Sequence, residues 1–180
     1  MNNLADAVVQ DPQGQEHRLG ELWAGGPAVL VFLRHFGCLF CQVDMSQVCR
    51  AADSIGALGA KLCFIGNGTP KMALDFQQEH ALKIPVFVDP SLEAYRAAGL
   101  KRGLWKTLGL RPILRSFPAL AAGFRPGRLQ GDPWQQGGIL VVGKEGQILY
   151  AYSNQHSGDT PRIKEILDTL ERREVLETHP

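Results

Sequence analysis

A six-residue apolar run, Ala28-Val-Leu-Val-Phe-Leu33, leads through Arg34-His-Phe-Gly37 directly into Cys38-Leu-Phe-Cys41. The run has the length and β-branched content of a buried strand, and the residues after Cys41 read as a helix. Cys38 then falls where strand gives way to helix, beneath the unpaired N–H groups and the positive dipole end of that helix. Such a position lowers a thiol pKa, and the thiolate is the nucleophilic form. A shift from ~8.5 to ~6 takes the thiolate at neutral pH from a few per cent to most of the population. The pattern is that of a thiol placed to attack.

The rest of the chain extends this start into an α/β order. Ala7–Gln10 and Asp11-Pro-Gln-Gly14 read as a short strand and turn, with His17–Leu19 as a return strand and one helical turn at Leu19–Trp23. A helix is expected from about Gly37 to Leu58, with Val43, Val48, Ala52, Ile55 and Leu58 on one face. Lys61–Ile65 is the next strand, and Thr69-Pro70 caps a helix to about Ala81. Pro85–Val88 is a third strand, and Asp89-Pro-Ser91 opens a short helix ending near Gly99. Ile139–Val142 and Ile148–Tyr152 flank Gly143-Lys-Glu-Gly146 as a hairpin. Thr160-Pro161 caps a closing helix to about Arg173, leaving 174–180 as a frayed tail.

This order predicts one domain, 1–173, with a central mixed sheet: the first two core strands parallel, the terminal hairpin antiparallel beside them. A length of 180 residues suits one domain with a real core. A Cys-x-x-Cys at the first strand-to-helix turn of such a pattern reads as a thioredoxin-like redox motif. Residues 100–131 stand apart, with Lys101, Arg102, Lys106, Arg111, Arg115, Arg125 and Arg128, three prolines and no acidic residue. They are read as an insertion, about 100–133, before the hairpin: a solvated basic surface, or an electropositive rim near the thiolate.

Composition excludes several classes. A net charge of +1 gives no general attraction to nucleic acid or acidic membranes. The N-terminus lacks the basic start and apolar stretch of a secretion signal, and no run approaches the ~18 apolar residues of a membrane span. Four cysteines, at 38, 41, 49 and 63, are too few and too bunched for a secreted disulfide scaffold, so a cytoplasmic setting is expected.

Among the cysteines, Cys38 is the candidate nucleophile. Cys41, one helical turn on, is close enough to resolve a sulfenic acid or mixed disulfide, or else is a small core residue. Cys49 and Cys63 read as core residues. A zinc site from Cys38 and Cys41 with two of His35, Cys49 and Cys63 lacks a second closely spaced ligand pair, so no metal is expected. Gly66-Asn-Gly68 is the nearest approach to a phosphate-cradling loop and is a weak one, so no organic cofactor is expected. His35 is placed to share protons or hydrogen bonds with the cysteine pair. Trp134 and Gln136 are expected at the mouth of the site. Gly137 and Gly138 either admit a substrate backbone or meet a demand of the chain itself.

Phe32-Leu-Arg-His-Phe-Gly-Cys-Leu-Phe-Cys41, Gln130-Gly-Asp-Pro-Trp-Gln-Gln-Gly-Gly-Ile-Leu-Val-Val142, Tyr150-Ala-Tyr-Ser153, Asp159-Thr-Pro161 and the basic Gly99-Leu-Lys-Arg-Gly103 resemble one group. It is the peroxiredoxin-like branch of the alkyl hydroperoxide reductase and thiol-specific antioxidant superfamily. The resemblance implies a thioredoxin-like fold, with Cys38 in the peroxidatic position. It implies attack on a small peroxide or a disulfide, resolution by Cys41 to a Cys38–Cys41 disulfide, and a thioredoxin- or glutathione-type thiol donor. It is compatible with a homodimer. The chain departs from the group's usual helpers: Val31 stands at the proline position seven before the cysteine, and His35 at the threonine position three before it. Gly137 and Gly138 occupy the place of the peroxide-polarising arginine and of thioredoxin's cis-proline, and Arg34 is the candidate substitute for that charge. A protein disulfide reductase and a redox-responsive binding protein without turnover are the alternatives.

Overall fold

A computed structural model describes residues 3–36, 39–101, 132, 134–154 and 163–178, with side chains throughout except at 39–44 and 175–178. The described residues hold seven strands and five α-helices. β1 (Val8–Gln10) and β2 (Glu16–Arg18) form an N-terminal hairpin, followed by a 3₁₀ turn at Leu19–Leu22 and by β3 (Ala28–Phe32). Then come α1 (Leu39–Arg50), α2 (Ala52–Ala57), β4 (Lys61–Gly66), α3 (Pro70–Glu79), β5 (Val86–Val88) and α4 (Glu93–Ala97). β6 (Gly138–Val142), β7 (Ile148–Ser153) and α5 (Ile163–Thr178) complete the chain.

One sheet holds all seven strands in the order β2-β1-β5-β4-β3-β6-β7. β3 pairs parallel with β4 and antiparallel with β6, and β6 pairs antiparallel with β7, as the sequence order requires. The sheet extends further than expected, because β1 lies antiparallel on β5 and carries β2 at the far edge. Alternation along the central strands divides their side chains between two cores. Val29, Val31, Phe64, Ile139 and Val141 face Val48, Ile55, Phe76, Ile166 and Leu170, while Leu30, Phe32, Cys63, Ile65 and Leu140 face Val9, Leu19, Trp23 and Tyr95. Both faces of β3 are therefore covered, which is why its sequence shows no polar alternation.

Local chemistry explains several boundaries. Thr69 Oγ1 accepts the Met72 N–H and Pro70 occupies the first turn of α3, as read from the sequence. The long helix expected over 37–58 is two helices. Ala51, at φ −92° and ψ −1°, donates its N–H to Val48 in a tight turn that ends α1. The closing helix does not stop at Arg173 but continues to Thr178, so 174–178 is helical rather than frayed. Arg173 donates to the Leu58 carbonyl at the end of α2 and holds that helix against the domain. Nearly all of the basic insertion (102–131 and 133) and the Thr160-Pro161 cap lie outside the described residues. No described helix is long and apolar enough to cross a membrane.

Candidate active site

The site is built where β3 ends. Leu33 continues the pairing of β3, donating its N–H to the Ile65 carbonyl at 2.8 Å. The Tyr95 hydroxyl, fully buried beneath it, lies 2.6 Å from the Leu33 carbonyl oxygen and 2.9 Å from that of Ile65, which share its one proton. A phenol buried at this depth needs such partners, and here they fix the ends of two adjacent strands. The next three residues, Arg34-His35-Phe36, carry the chain towards the cysteine motif, and α1 begins at Leu39. The motif thus spans a strand-to-helix turn. Cys38 lies outside the described residues, as does the Cys41 side chain, while the Cys41 backbone is in the first turn of α1.

Each residue of the Arg34–Phe36 turn has a distinct neighbourhood. Arg34 is only 3% exposed. A Cβ on Gly137 would stand 2.5 Å from the Phe32 carbonyl oxygen and 3.3 Å from both Arg34 N and Arg34 Cγ. Gly137 is therefore glycine because the backbone of β3 and the stem of Arg34 lie directly against it. Gly138 is constrained in the same way by the Tyr152 carbonyl and by Leu100. Of the two roles considered for this glycine pair, the demand of the chain is the one the packing supports.

Phe36 is 3% exposed and packs on Phe76, with ring centroids 5.0 Å apart. Its ring lies so close over Gly66 that any side chain there would overlap it, and Gly68 lies beneath the same ring. Gly66-Asn-Gly68 is therefore a seat for Phe36 rather than a phosphate loop. Between the two, His35 is half-buried, and its Nδ1 is enclosed with no hydrogen-bond partner among the described residues. Burial, reinforced by the charge of Arg34, pushes its pKa down to about 4, so the imidazole is neutral at physiological pH.

Asn67 carries no signal beyond its place between two glycines, yet it is 2% exposed and fully bonded. Its Nδ2 donates to the Arg34 carbonyl at 2.6 Å and to the Asp132 carbonyl at 3.0 Å, and its Oδ1 accepts the Asp132 N–H at 3.0 Å. Asp132 in turn accepts the Trp134 N–H, and the Gln136 N–H donates to the Lys101 carbonyl. Gln135 reaches the Leu100 carbonyl from the same segment. Gln136, expected at the mouth, is 2% exposed and belongs to this packed stretch; Trp134 beside it is half-buried.

The other two cysteines differ from each other. Cys63 is enclosed in the core, and burial pushes its thiol up to about 12. Cys49 is half-buried, with its pKa also raised by burial. It lies on the wall of a cavity of about 550 Å³ along α1 and α2, together with Met45, Arg50, His80, Lys83 and Ile84. At Cys63 nothing opposes the burial, and at Cys49 the charge of Arg50 opposes it only in part, so both thiols stay above the ordinary value rather than below it as a reactive cysteine does. Among the described residues no group of three His, Cys, Asp or Glu could hold a metal ion.

Residues 49–156 match the family model of the AhpC/TSA antioxidant enzymes, a span that includes Asn67, Tyr95 and Gly137. The chain belongs to the AhpC/TSA antioxidant enzyme family. The matched span begins after Cys38 and Cys41. Relatives extend the similarity across them: the chloroplastic thioredoxin-like protein AAED1 of Arabidopsis thaliana is 30% identical over 92% of this chain and 71% of its own length. A prostamide/prostaglandin F synthase of Salmo salar is 27% identical over 91% of this chain and 84% of its own. Among solved structures, peroxidoxin BcpB of Mycobacterium tuberculosis superposes with a TM-score of 0.67 at 20% identity, over 95% of both chains. The thioredoxin-like fold expected from the sequence is thus the fold of the AhpC/TSA chain. As a member of that family the protein is a thiol-based oxidoreductase of the peroxiredoxin-like type, which implies a peroxide substrate and a thiol reductant in general terms.

Proposed function

We propose that Cys38 is the peroxidatic nucleophile and Cys41 its resolving partner. The observation that supports this is the path of the described chain on either side of the motif: β3, Leu33 and the fixed Arg34–Phe36 turn lead towards the start of α1, and a thiol just ahead of a helix is exposed to unpaired helix N–H groups. The Cys38 thiolate attacks one peroxide oxygen, the O–O bond breaks, and the leaving oxygen departs with a proton as water or alcohol. Cys38 becomes a sulfenic acid. The Cys41 thiolate attacks that sulfur, hydroxide leaves and takes up a proton to become water, and a Cys38–Cys41 disulfide forms. A thioredoxin- or glutathione-type thiol then reduces it, with two electrons passing from donor to enzyme. Arg34 supplies positive charge beside the turn, and neutral His35 supplies a hydrogen-bonding group three residues before the nucleophile. Trp134 and Gly137 shape the neighbouring wall. A reducing compartment suits this cycle, and a cytoplasmic protein, as a monomer or homodimer, meets that condition.

The test is peroxide titration of the reduced protein with mass-spectrometric tracking of each cysteine. Wild type is expected to form the 38–41 disulfide, Cys41→Ser to stop at a Cys38 sulfenic acid, and Cys38→Ser to consume no peroxide. Oxidation of Cys38 no faster than that of a free thiol of the same pKa sinks the peroxidase assignment. Rapid reduction of insulin disulfides would then favour a protein disulfide reductase.

A further inference from the structure

The three hydrogen bonds of Asn67 close a circuit. Its amide holds the Arg34 carbonyl on one side and both backbone groups of Asp132 on the other, acting as a peptide unit would between two strands that do not pair. From Asp132 the chain runs through Trp134 and Gln136 to Gly137, which lies directly against the stem of Arg34. Arg34 is thus held twice, at its carbonyl by Asn67 and at its side chain by Gly137. The neighbouring glycines of Asn67 seat Phe36, two residues before Cys38. A single strand end, Gly66–Gly68, therefore moulds both ends of the Arg34–Phe36 turn.

We propose that Asn67 is a positioning residue for Cys38. It acts by fixing the Arg34 carbonyl, four residues before the nucleophile, and by locking the Asp132–Gly137 wall to it. The proposal rests on Cys38 being the nucleophile. It goes beyond that assignment in placing control of the nucleophile's reactivity on a residue 29 positions away that carries no reactive group. The chemistry of the amide is specific. An aspartate at 67 keeps the acceptor for the Asp132 N–H but turns a second oxygen towards two carbonyls, while alanine removes all three bonds.

The experiment uses the reduced full-length chain as wild type, Asn67→Asp, Asn67→Ala, and Val9→Ala, a cavity variant in the opposite core at the N-terminal hairpin. Two quantities are read on Cys38: the second-order rate of oxidation by hydrogen peroxide, and the pH midpoint of its alkylation by iodoacetamide. Thermal midpoints are recorded alongside. Displacement of a reacting group by about 1 Å can cost on the order of 10²-fold, so both Asn67 variants are expected to lose about 10- to 100-fold in rate. Their alkylation midpoints are expected to rise. Val9→Ala is expected to lower the thermal midpoint and leave both Cys38 quantities at wild-type values. If one Asn67 variant fails to fold, the other decides. Wild-type rate and midpoint in a folded Asn67 variant overturn the positioning role and leave Cys38 as nucleophile. Equal slowing in Val9→Ala also overturns it, since loss of stability alone then suffices. A wild-type Cys38 no more reactive than a free thiol overturns the nucleophile assignment itself, and the positioning role with it.

Discussion

Two glycine stretches flank β3, one where β4 ends and one where β6 begins, and they are glycine for different reasons. At Gly66 the obstacle is the ring of Phe36, a side chain seated on bare backbone. At Gly137 and Gly138 the obstacles are mainly carbonyl oxygens, of Phe32 and Tyr152, in strands whose register is fixed by pairing. A side chain can be shortened or can swing away, whereas a paired carbonyl cannot move without loss of the sheet. The first stretch is a seat that evolution could rebuild with a smaller residue at 36. The second is a demand of the fold. Between them runs Arg34-His35-Phe36, with its arginine against the β6 side and its phenylalanine on the β4 side.

The largest effect is therefore expected on the β6 side. Gly137→Ala and Gly138→Ala drive a methyl into backbone that pairing holds, and should each cost about 3 kcal/mol or more. Urea unfolding checks this; a Gly137→Ala midpoint within error of wild type would remove the distinction between the two stretches. On the β4 side, Gly66→Ala should cost about 1–3 kcal/mol by overpacking. Phe36→Leu should relieve part of that cost, giving a double-mutant coupling of at least about 0.5 kcal/mol. The same Phe36→Leu change combined with Gly137→Ala should be additive. Coupling of equal size at both glycines would show that one shared adjustment, not two separate obstacles, governs the turn.

A smaller effect is expected directly beneath the turn. Tyr95→Phe leaves the buried carbonyls of Leu33 and Ile65 without the phenol, which should lower stability by about 1–2 kcal/mol. Because the Leu33 carbonyl precedes Arg34, Cys38 oxidation should slow as well. An unchanged oxidation rate would mean that the turn is held by its flanks, Asn67 and Phe36, rather than from below.

Much of this frame was legible in the residues. The uninterrupted apolar run at 28–33, the Thr69-Pro70 cap and the Gly143–Gly146 turn are local signals, and each marks an element the structure contains. The helix break at Ala51 and the helical continuation past Arg173 were not legible. The first is a change of backbone angle at an ordinary alanine, and the second lies where the helix meets the domain through a contact between Arg173 and Leu58, 115 residues apart. The same holds at the site. Cys38, Arg34 and His35 announce themselves by type and spacing, whereas Asn67 acts through partners 33 and 65 residues away. An amide between two glycines has many readings, and only the packing of Phe36 and the bonds to Asp132 select one.

His35 supplies the smallest effect and tests whether the turn is buried between its two flanks. Its folded pKa of about 4 lies below the ordinary value of 6.5, with burial the main cause and the Arg34 charge the second. Between those two values the unfolded chain holds more protons at this site than the folded one. Folding stability contributed by His35 therefore rises with pH through that window. It is fully present above about pH 6.5 and is lost as pH falls towards 4. Since the ring is partly open to solvent and the pH 7 to pH 5 interval covers only part of the window, the expected difference is about 1 kcal/mol or less. Urea unfolding of wild type and His35→Asn at pH 7 and pH 5 isolates it, because the other titrating groups are common to both proteins. Wild type should lose more stability than the variant on acidification. Equal losses would place the imidazole in solvent, and would leave the Arg34–Phe36 turn anchored at its ends but open in the middle.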